Sequence, residues 1–87
     1  MYTYELRCFD KTGQCFRVDH IGAKRDALAK FHKYKDNTIK AHAALIDANL
    51  PTDCLADVIS LAYYGSMACS ADAFGFLAQW KCKKAAD

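Results

Sequence analysis

Five cysteines and three histidines are the residues of this 87-residue chain whose types suit metal binding. Structural zinc sites usually take two ligands from one local pair, such as C-x-x-C or H-x-x-x-H. The sequence contains neither pair, and His32 and His42 fall in different predicted helices. The spacing therefore predicts no metal and no cofactor, and all five cysteines are expected to be reduced and metal-free.

Nucleophilic catalysis needs a cysteine or serine beside a base, with a third group that orients the base. The chain shows no nucleophile-elbow glycine pattern and no glycine-rich phosphate loop. Tyr4 and His20, which are predicted to face each other across a hairpin, are the most suggestive titratable pair. The simpler interpretation is that they close one end of the core, so we expect no enzymatic activity.

The charges are unevenly distributed along the chain, although the net charge is only +2. Six Lys and Arg residues lie between Lys24 and Lys40 against Asp26 and Asp36, whereas residues 41–80 hold four aspartates and no Lys or Arg. The basic segment 24–40 suits nucleic-acid phosphates, or equally an acidic or mixed protein surface. Its aromatic residues, Phe31 and Tyr34, are predicted to point inward, which argues against nucleic-acid binding.

These side chains must be positioned by an N-terminal β-hairpin, residues 2–20, that turns at Asp10-Lys11-Thr12-Gly13. Gly13 can adopt the positive φ of a three-residue loop, which would place Asp10 opposite Gln14. The register then pairs Cys8 with Phe16, Leu6 with Val18 and Tyr4 with His20. This apolar face is expected to be covered by helices, because a lone hairpin is marginally stable in water.

The remainder of the chain is predicted to be helical, with helices at about 23–35, 38–49, 52–64 and 70–84. The break after the first helix rests on Asp36-Asn37-Thr38, whose side chains favour an N-cap. The expected fold class is α+β, a two-stranded antiparallel hairpin packed against three to four α-helices, in a single domain 1–87. In the second helix, Ile39, Ala43 and Ile46 are predicted to face inward.

The compartment is expected to be the cytoplasm. The cysteine count is odd and the spacings are wide, and Cys8 and Cys15 would point to opposite faces of the hairpin, which favours a reducing environment. No secretory signal is visible in the sequence. The longest charge-free run, residues 58–71, has 14 residues and is too short for a membrane span.

These observations together predict a small non-enzymatic protein-interaction module, with a small nucleic-acid-binding protein as the alternative. The partner-binding residues are predicted to be three basic and three apolar side chains, namely Arg25, Lys30, Lys33, Ala41, Leu45 and Ala48. The expected partner is a larger host protein or ribonucleoprotein complex, and a homodimer is a further possibility. Mini-domains of this size without enzymatic motifs are typical of phage or mobile-element inhibitors that block such complexes, such as anti-CRISPR proteins.

Overall fold

The computed structural model describes residues 3–64 and 75–83. In these ranges the chain forms five elements, in the order β1 (Thr3–Phe9), β2 (Cys15–Ile21), α1 (Lys24–Asp47), β3 (Val58–Tyr64) and β4 (Gly75–Lys81). The strands make one antiparallel sheet in the order β2-β1-β3-β4. The prediction of a hairpin against three to four helices is therefore wrong, because the described residues contain one helix and a four-stranded sheet.

The turn between β1 and β2 is the one that the sequence predicts. Gly13 has a φ of 85°, and the amide of Asp10 donates to the carbonyl oxygen of Gln14 at 3.0 Å. The Asp10 carboxylate closes the loop by accepting from the amide of Thr12 at 2.9 Å, the hydroxyl of Thr12 at 2.6 Å and the amide of Gln14 at 3.1 Å. The carboxylate of Asp10 therefore takes the place of a strand partner for the amide groups of Thr12 and Gln14, where the chain reverses.

The predicted register holds for the residues next to the turn, up to the pair Phe9–Cys15, and is wrong for the rest of the hairpin. Phe9 pairs with Cys15 but Cys8 pairs with Arg17, so Phe16 is an extra residue in β2 and forms a β-bulge. Because side chains alternate between the faces of a strand, this one-residue slip reverses the rest of β2. Arg17 and Asp19 consequently face α1, while Val18 and His20 face away from it.

The predicted break at residues 36–38 does not occur, and α1 continues from Lys24 to Asp47. This segment contains neither Gly nor Pro, and N-cap residues inside a helix cost only tenths of a kcal/mol each. Continuity fixes the phase of the second half, so His42 faces the sheet and the predicted inward residues Ile39 and Ile46 are exposed. The helix ends in a Schellman motif at Asn49, which has a φ of 57°.

The predicted helices at 52–64 and 70–84 are also wrong. Residues 58–64 read VISLAYY and form the inner strand β3, which pairs with β1 on one side and β4 on the other. A short, mostly apolar run without charged residues fits a strand buried on both faces as well as it fits a helix, and its β-branched and aromatic residues favour the strand. Residues 75–81 form β4, and residues 70–74 and 84 lie outside the described ranges, as does Tyr2 of the predicted hairpin.

The core lies between α1 and one face of the sheet. Its buried residues come from the helix, the two inner strands and the segment before β3, namely Leu6, Cys8, Ala27, Phe31, Ala56, Ile59 and Leu61. Leu28, Tyr34 and Trp80 pack against this cluster from its edge. In the described part of the chain, no helix is long and apolar enough to cross a membrane.

Candidate functional site

The face of the sheet opposite α1, here called the second face, has a buried centre and exposed margins. Ser60, Ala62 and Tyr64 of β3 are buried there, whereas Phe16 and Val18 of β2 are 53% and 42% exposed. Large apolar side chains are seldom left on a surface without a reason when they lie side by side. The margin formed by β2 is therefore available to a partner, and Phe76 of β4, which is 69% exposed, lies at the opposite margin of the same face.

The bulge turns Phe16 and Val18 onto the second face, and they lie there on the strand at the edge of the sheet. In the sheet, β2 is an edge strand that pairs with β1 alone among the described strands. Its outer side therefore presents main-chain N–H and C=O groups that can accept another strand. We call this combination, the outer edge of β2 with Phe16 and Val18, the β2 surface.

The buried centre of the second face contains an ionic group. Arg7 donates from Nε to Glu5 Oε1 at 3.1 Å and from a terminal nitrogen to the hydroxyl oxygen of Tyr64 at 2.7 Å. The hydrogen bond to Glu5 raises the pKa of Arg7 above its usual value. Burial raises the pKa of Tyr64, and the negative charge of Glu5 raises it further. Charge pairing explains how Glu5 is tolerated at 2% exposure.

The other side of β2 is charged and packs against α1. Arg17 lies over the ring of Tyr34, 4.6 Å from its centroid, and its Nε is 3.2 Å from Asp19 Oδ2. The same Asp19 oxygen lies 3.6 Å from Lys30 Nζ of α1. The β2 surface thus has one apolar side, with Phe16 and Val18, and one side with a positive and a negative residue two positions apart.

The residues predicted to bind a partner do not share one exposed patch. Arg25 and Lys33 are exposed on α1, and Ala48 is exposed at its C-cap. Ala41 and Leu45 are half-buried, because the phase of the continuous helix turns them toward the rest of the molecule. Lys30 is half-exposed and contacts Asp19.

Sequence reasoning missed the β2 surface because it placed Phe16 and Val18 in the core. The strand alternates apolar and charged residues, which identifies a strand with two unlike faces but does not say which face is outward. The bulge at Phe16 decides that question. We know of no local sequence signal in β2 that predicts it.

Three side chains with metal-binding donor atoms also come together, far along the chain from one another. A ring nitrogen of His42, a carboxylate oxygen of Asp57 and the Cys82 sulfur all lie within 4.8 Å of one another. His42 is buried, and the other two are half-buried. Among the described residues this group is the one that has the composition and spacing to hold a metal ion.

Comparison with protein-family models, with curated proteins and with solved structures found no match for this chain.

Proposed function

We propose that this protein is a non-enzymatic protein-interaction module that binds an extended segment of a partner protein along β2. The observation that carries the proposal is the exposure of Phe16 and Val18 beside the outer edge of the sheet. Strand addition at such an edge supplies main-chain hydrogen bonds, and the alternating side chains supply specificity.

The charges of β2 define the partner segment that fits. On the side facing α1, a partner strand needs an acidic residue opposite Arg17 and a basic residue opposite Asp19. On the second face it needs apolar residues to cover Phe16 and Val18. The best partner is an extended segment that alternates apolar and charged residues.

A second copy of the chain meets the charge requirement as well, so the oligomeric state is part of the test. When two β2 strands pair antiparallel about Val18, Arg17 of one copy lies opposite Asp19 of the other. Light scattering after size exclusion measures this directly. A homodimer that the substitution Val18→Lys does not dissociate would contradict the assignment of the β2 surface.

The proposed mode of action is occupation of a partner surface without turnover. The narrower hypothesis is inhibition of a host protein or ribonucleoprotein complex in the cytoplasm, in the manner of phage or mobile-element inhibitors. It requires that the bound partner lose activity in proportion to the amount of this protein, with saturation at a fixed stoichiometry. An effect that grows at strongly substoichiometric amounts would contradict it and support an enzyme.

The experiment compares wild type with Val18→Lys and with a matched control, Ala44→Lys. Ala44 is exposed on α1, so this control adds the same charge away from β2. Partners captured from a bacterial lysate by wild type and by Ala44→Lys, but not by Val18→Lys, are then titrated with purified protein. A buried interface centre tolerates a lysine poorly, so we expect at least a ~10-fold loss of affinity for Val18→Lys. Equal binding by all three proteins would contradict the proposal.

Nucleic-acid binding is the second candidate, and the continuity of α1 favours it. Arg25, Lys33 and Lys40 recur at intervals that place them on one side of a single helix, and all three are exposed. A stripe of this kind can follow a phosphate backbone. If it does, neutralising Arg25, Lys33 and Lys40 together abolishes a salt-sensitive gel shift with random oligonucleotides. A shift that survives this triple substitution would exclude the stripe as the binding site.

A further inference from the structure

We propose that His42, Asp57 and Cys82 form a binding site for Zn²⁺ at the end of α1 and of the β3–β4 pair. The inference is independent of the partner-binding function proposed above. It departs from the expectation of metal-free cysteines that the sequence spacing gave.

The pairing of β3 with β4 explains why Asp57 and Cys82 meet. Ile59 pairs with Trp80 and Val58 with Lys81, so Asp57 and Cys82 form the next pair along the two strands. The amide of Cys82 donates to the carbonyl oxygen of Asp57 at 2.7 Å, which confirms this continuation. Since side chains alternate, Asp57 and Cys82 lie on the same face as Ile59 and Trp80, the face covered by α1.

The third donor comes from α1 above this pair. His42 is 7% exposed, and its Nε2 lies 3.0 Å from the carbonyl oxygen of Ala56. A carbonyl oxygen only accepts, so Nε2 carries the proton and the lone pair of the neutral ring is on Nδ1. Metal-binding histidines are held in this way, with the second ring nitrogen donating to a carbonyl or carboxylate. The carbonyl of Ala56 therefore holds the ring of His42 beside the carboxylate of Asp57 and the sulfur of Cys82.

The set of donors suits Zn²⁺ in type and in charge. Thiolate, imidazole and carboxylate are its usual ligands, and the two anions together balance its charge. At ordinary zinc–ligand lengths the donors of a tetrahedral site lie about 3.3–3.6 Å apart. The present separations of up to 4.8 Å need to shorten by at most about 1.5 Å, which side-chain rotation supplies.

Three protein ligands leave the fourth position of a tetrahedral ion to water or an external ligand. A cavity of about 430 Å³ adjoins the site and shares His42 and Cys82 with it. Its other walls are mostly apolar and include Ile39, Ile46 and Trp80. We place the fourth ligand on the side of this cavity, where the site is open.

The same three residue types occur in cysteine-nucleophile triads, but the hydrogen bond of His42 argues against that role. A triad uses both ring nitrogens, one toward the thiol and one toward the orienting carboxylate. Here Nε2 is engaged by the carbonyl oxygen of Ala56. One ring nitrogen remains, so His42 cannot engage Cys82 and Asp57 together as a triad does, whereas all three donors can bind one metal ion. A Cys82–His42 pair that is oriented by the carbonyl of Ala56 is distinguished from the metal site by the Zn²⁺ titration.

The test uses the full-length protein, stripped of metal by a chelator and kept reduced with a phosphine. Zn²⁺ alone is titrated by competition with a chromogenic chelator, and Co²⁺ alone is followed by absorption. We expect one equivalent of Zn²⁺ to bind. Co²⁺ is expected to give a thiolate-to-cobalt charge-transfer band and the intense visible bands of tetrahedral cobalt.

Cys82→Ser and Asp57→Asn are the test variants, and Cys54→Ser is the matched control, since Cys54 is exposed outside the cluster. Removing a group that hydrogen-bonds a metal ligand typically weakens metal binding about 10- to 100-fold. Removing the Cys82 thiolate, a ligand itself, is therefore expected to weaken Zn²⁺ binding at least ~100-fold. The Cys54→Ser protein is expected to bind as wild type does. If either test variant misfolds by circular dichroism, the wild-type cobalt spectrum and the other variant decide. Absence of binding, a thiolate band that survives Cys82→Ser, or an equal loss in Cys54→Ser would overturn the proposal.

Discussion

The orientation of β2 predicts that Leu6→Ala lowers the free energy of unfolding much more than Phe16→Ala does. A hairpin without the bulge would predict similar losses for the two substitutions. Leu6 is fully buried in the inner strand β1, so Leu6→Ala removes apolar contacts and leaves a cavity. Substitutions of this kind cost about 2–5 kcal/mol of unfolding free energy. Phe16 retains 53% of its exposure at the sheet edge. Since full burial of a phenylalanine is worth about 1.5–3 kcal/mol, its half-burial gives about 1 kcal/mol for Phe16→Ala.

Urea unfolding provides the assay, because the chain has one tryptophan, Trp80, which packs against the core and reports on its loss. Midpoints are compared by circular dichroism and fluorescence, and unchanged slopes verify that each variant unfolds in the same way. Without the bulge, Phe16 would lie in the core and Phe16→Ala would cost about 3–5 kcal/mol. A loss for Phe16→Ala equal to or greater than that for Leu6→Ala would refute the orientation of β2.

Two further predictions concern the continuity of α1 and the titration of one thiol and two tyrosine hydroxyls. Asn37 lies exposed in the middle of α1, so Asn37→Ala should stabilise the protein by roughly 0.5 kcal/mol. If Asn37 were instead an N-cap between two helices, its loss would destabilise the protein by about 1 kcal/mol. Thermal unfolding shows whether the substitution stabilises or destabilises the protein. Burial raises the pKa of Cys8, Tyr34 and Tyr64, so the folded state holds these protons more tightly than the unfolded state. Their contribution to stability is complete below the unfolded values, about 8.5 for Cys and 10 for Tyr, and is lost as the pH rises through the higher folded values. The urea midpoint of the wild type should therefore fall as the pH becomes alkaline. The fall should be less steep in Cys8→Ala, whereas the control Cys54→Ala should follow the wild type. An equally steep fall in Cys8→Ala would contradict the role of the Cys8 thiol.

Local chemistry made parts of the fold predictable. The turn at residues 10–13 combines a glycine with an aspartate that hydrogen-bonds its own loop, and both signals are visible in the sequence. The apolar spacing of Ala27, Leu28 and Phe31 likewise predicted the buried side of the first half of α1. Such features depend on residues a few positions apart, so the sequence contains the whole cause.

The errors arose where the cause lies elsewhere in the chain. Val58–Tyr64 is a strand because β1 and β4 pair with both of its sides, and no periodicity within the segment reveals those partners. The N-cap residues 36–38 were given more weight than the continuity of the helix. The bulge at Phe16 then reversed β2, so one unpredicted residue exchanged the core side of a strand for its exposed side.

The two proposed sites lie at opposite edges of the sheet, which makes their tests independent. The β2 surface is on the first strand of the order β2-β1-β3-β4, and Cys82 follows the last. With neighbouring strands about 4.8 Å apart, three spacings separate them by about 14 Å. Substitutions this far apart with no shared contacts act additively. Val18→Lys should therefore leave Zn²⁺ affinity unchanged, and Cys82→Ser should leave partner binding unchanged. If Val18→Lys instead removed both activities while the protein stayed folded, partner and metal would share one site, and the separate assignment of the two surfaces would have to be abandoned.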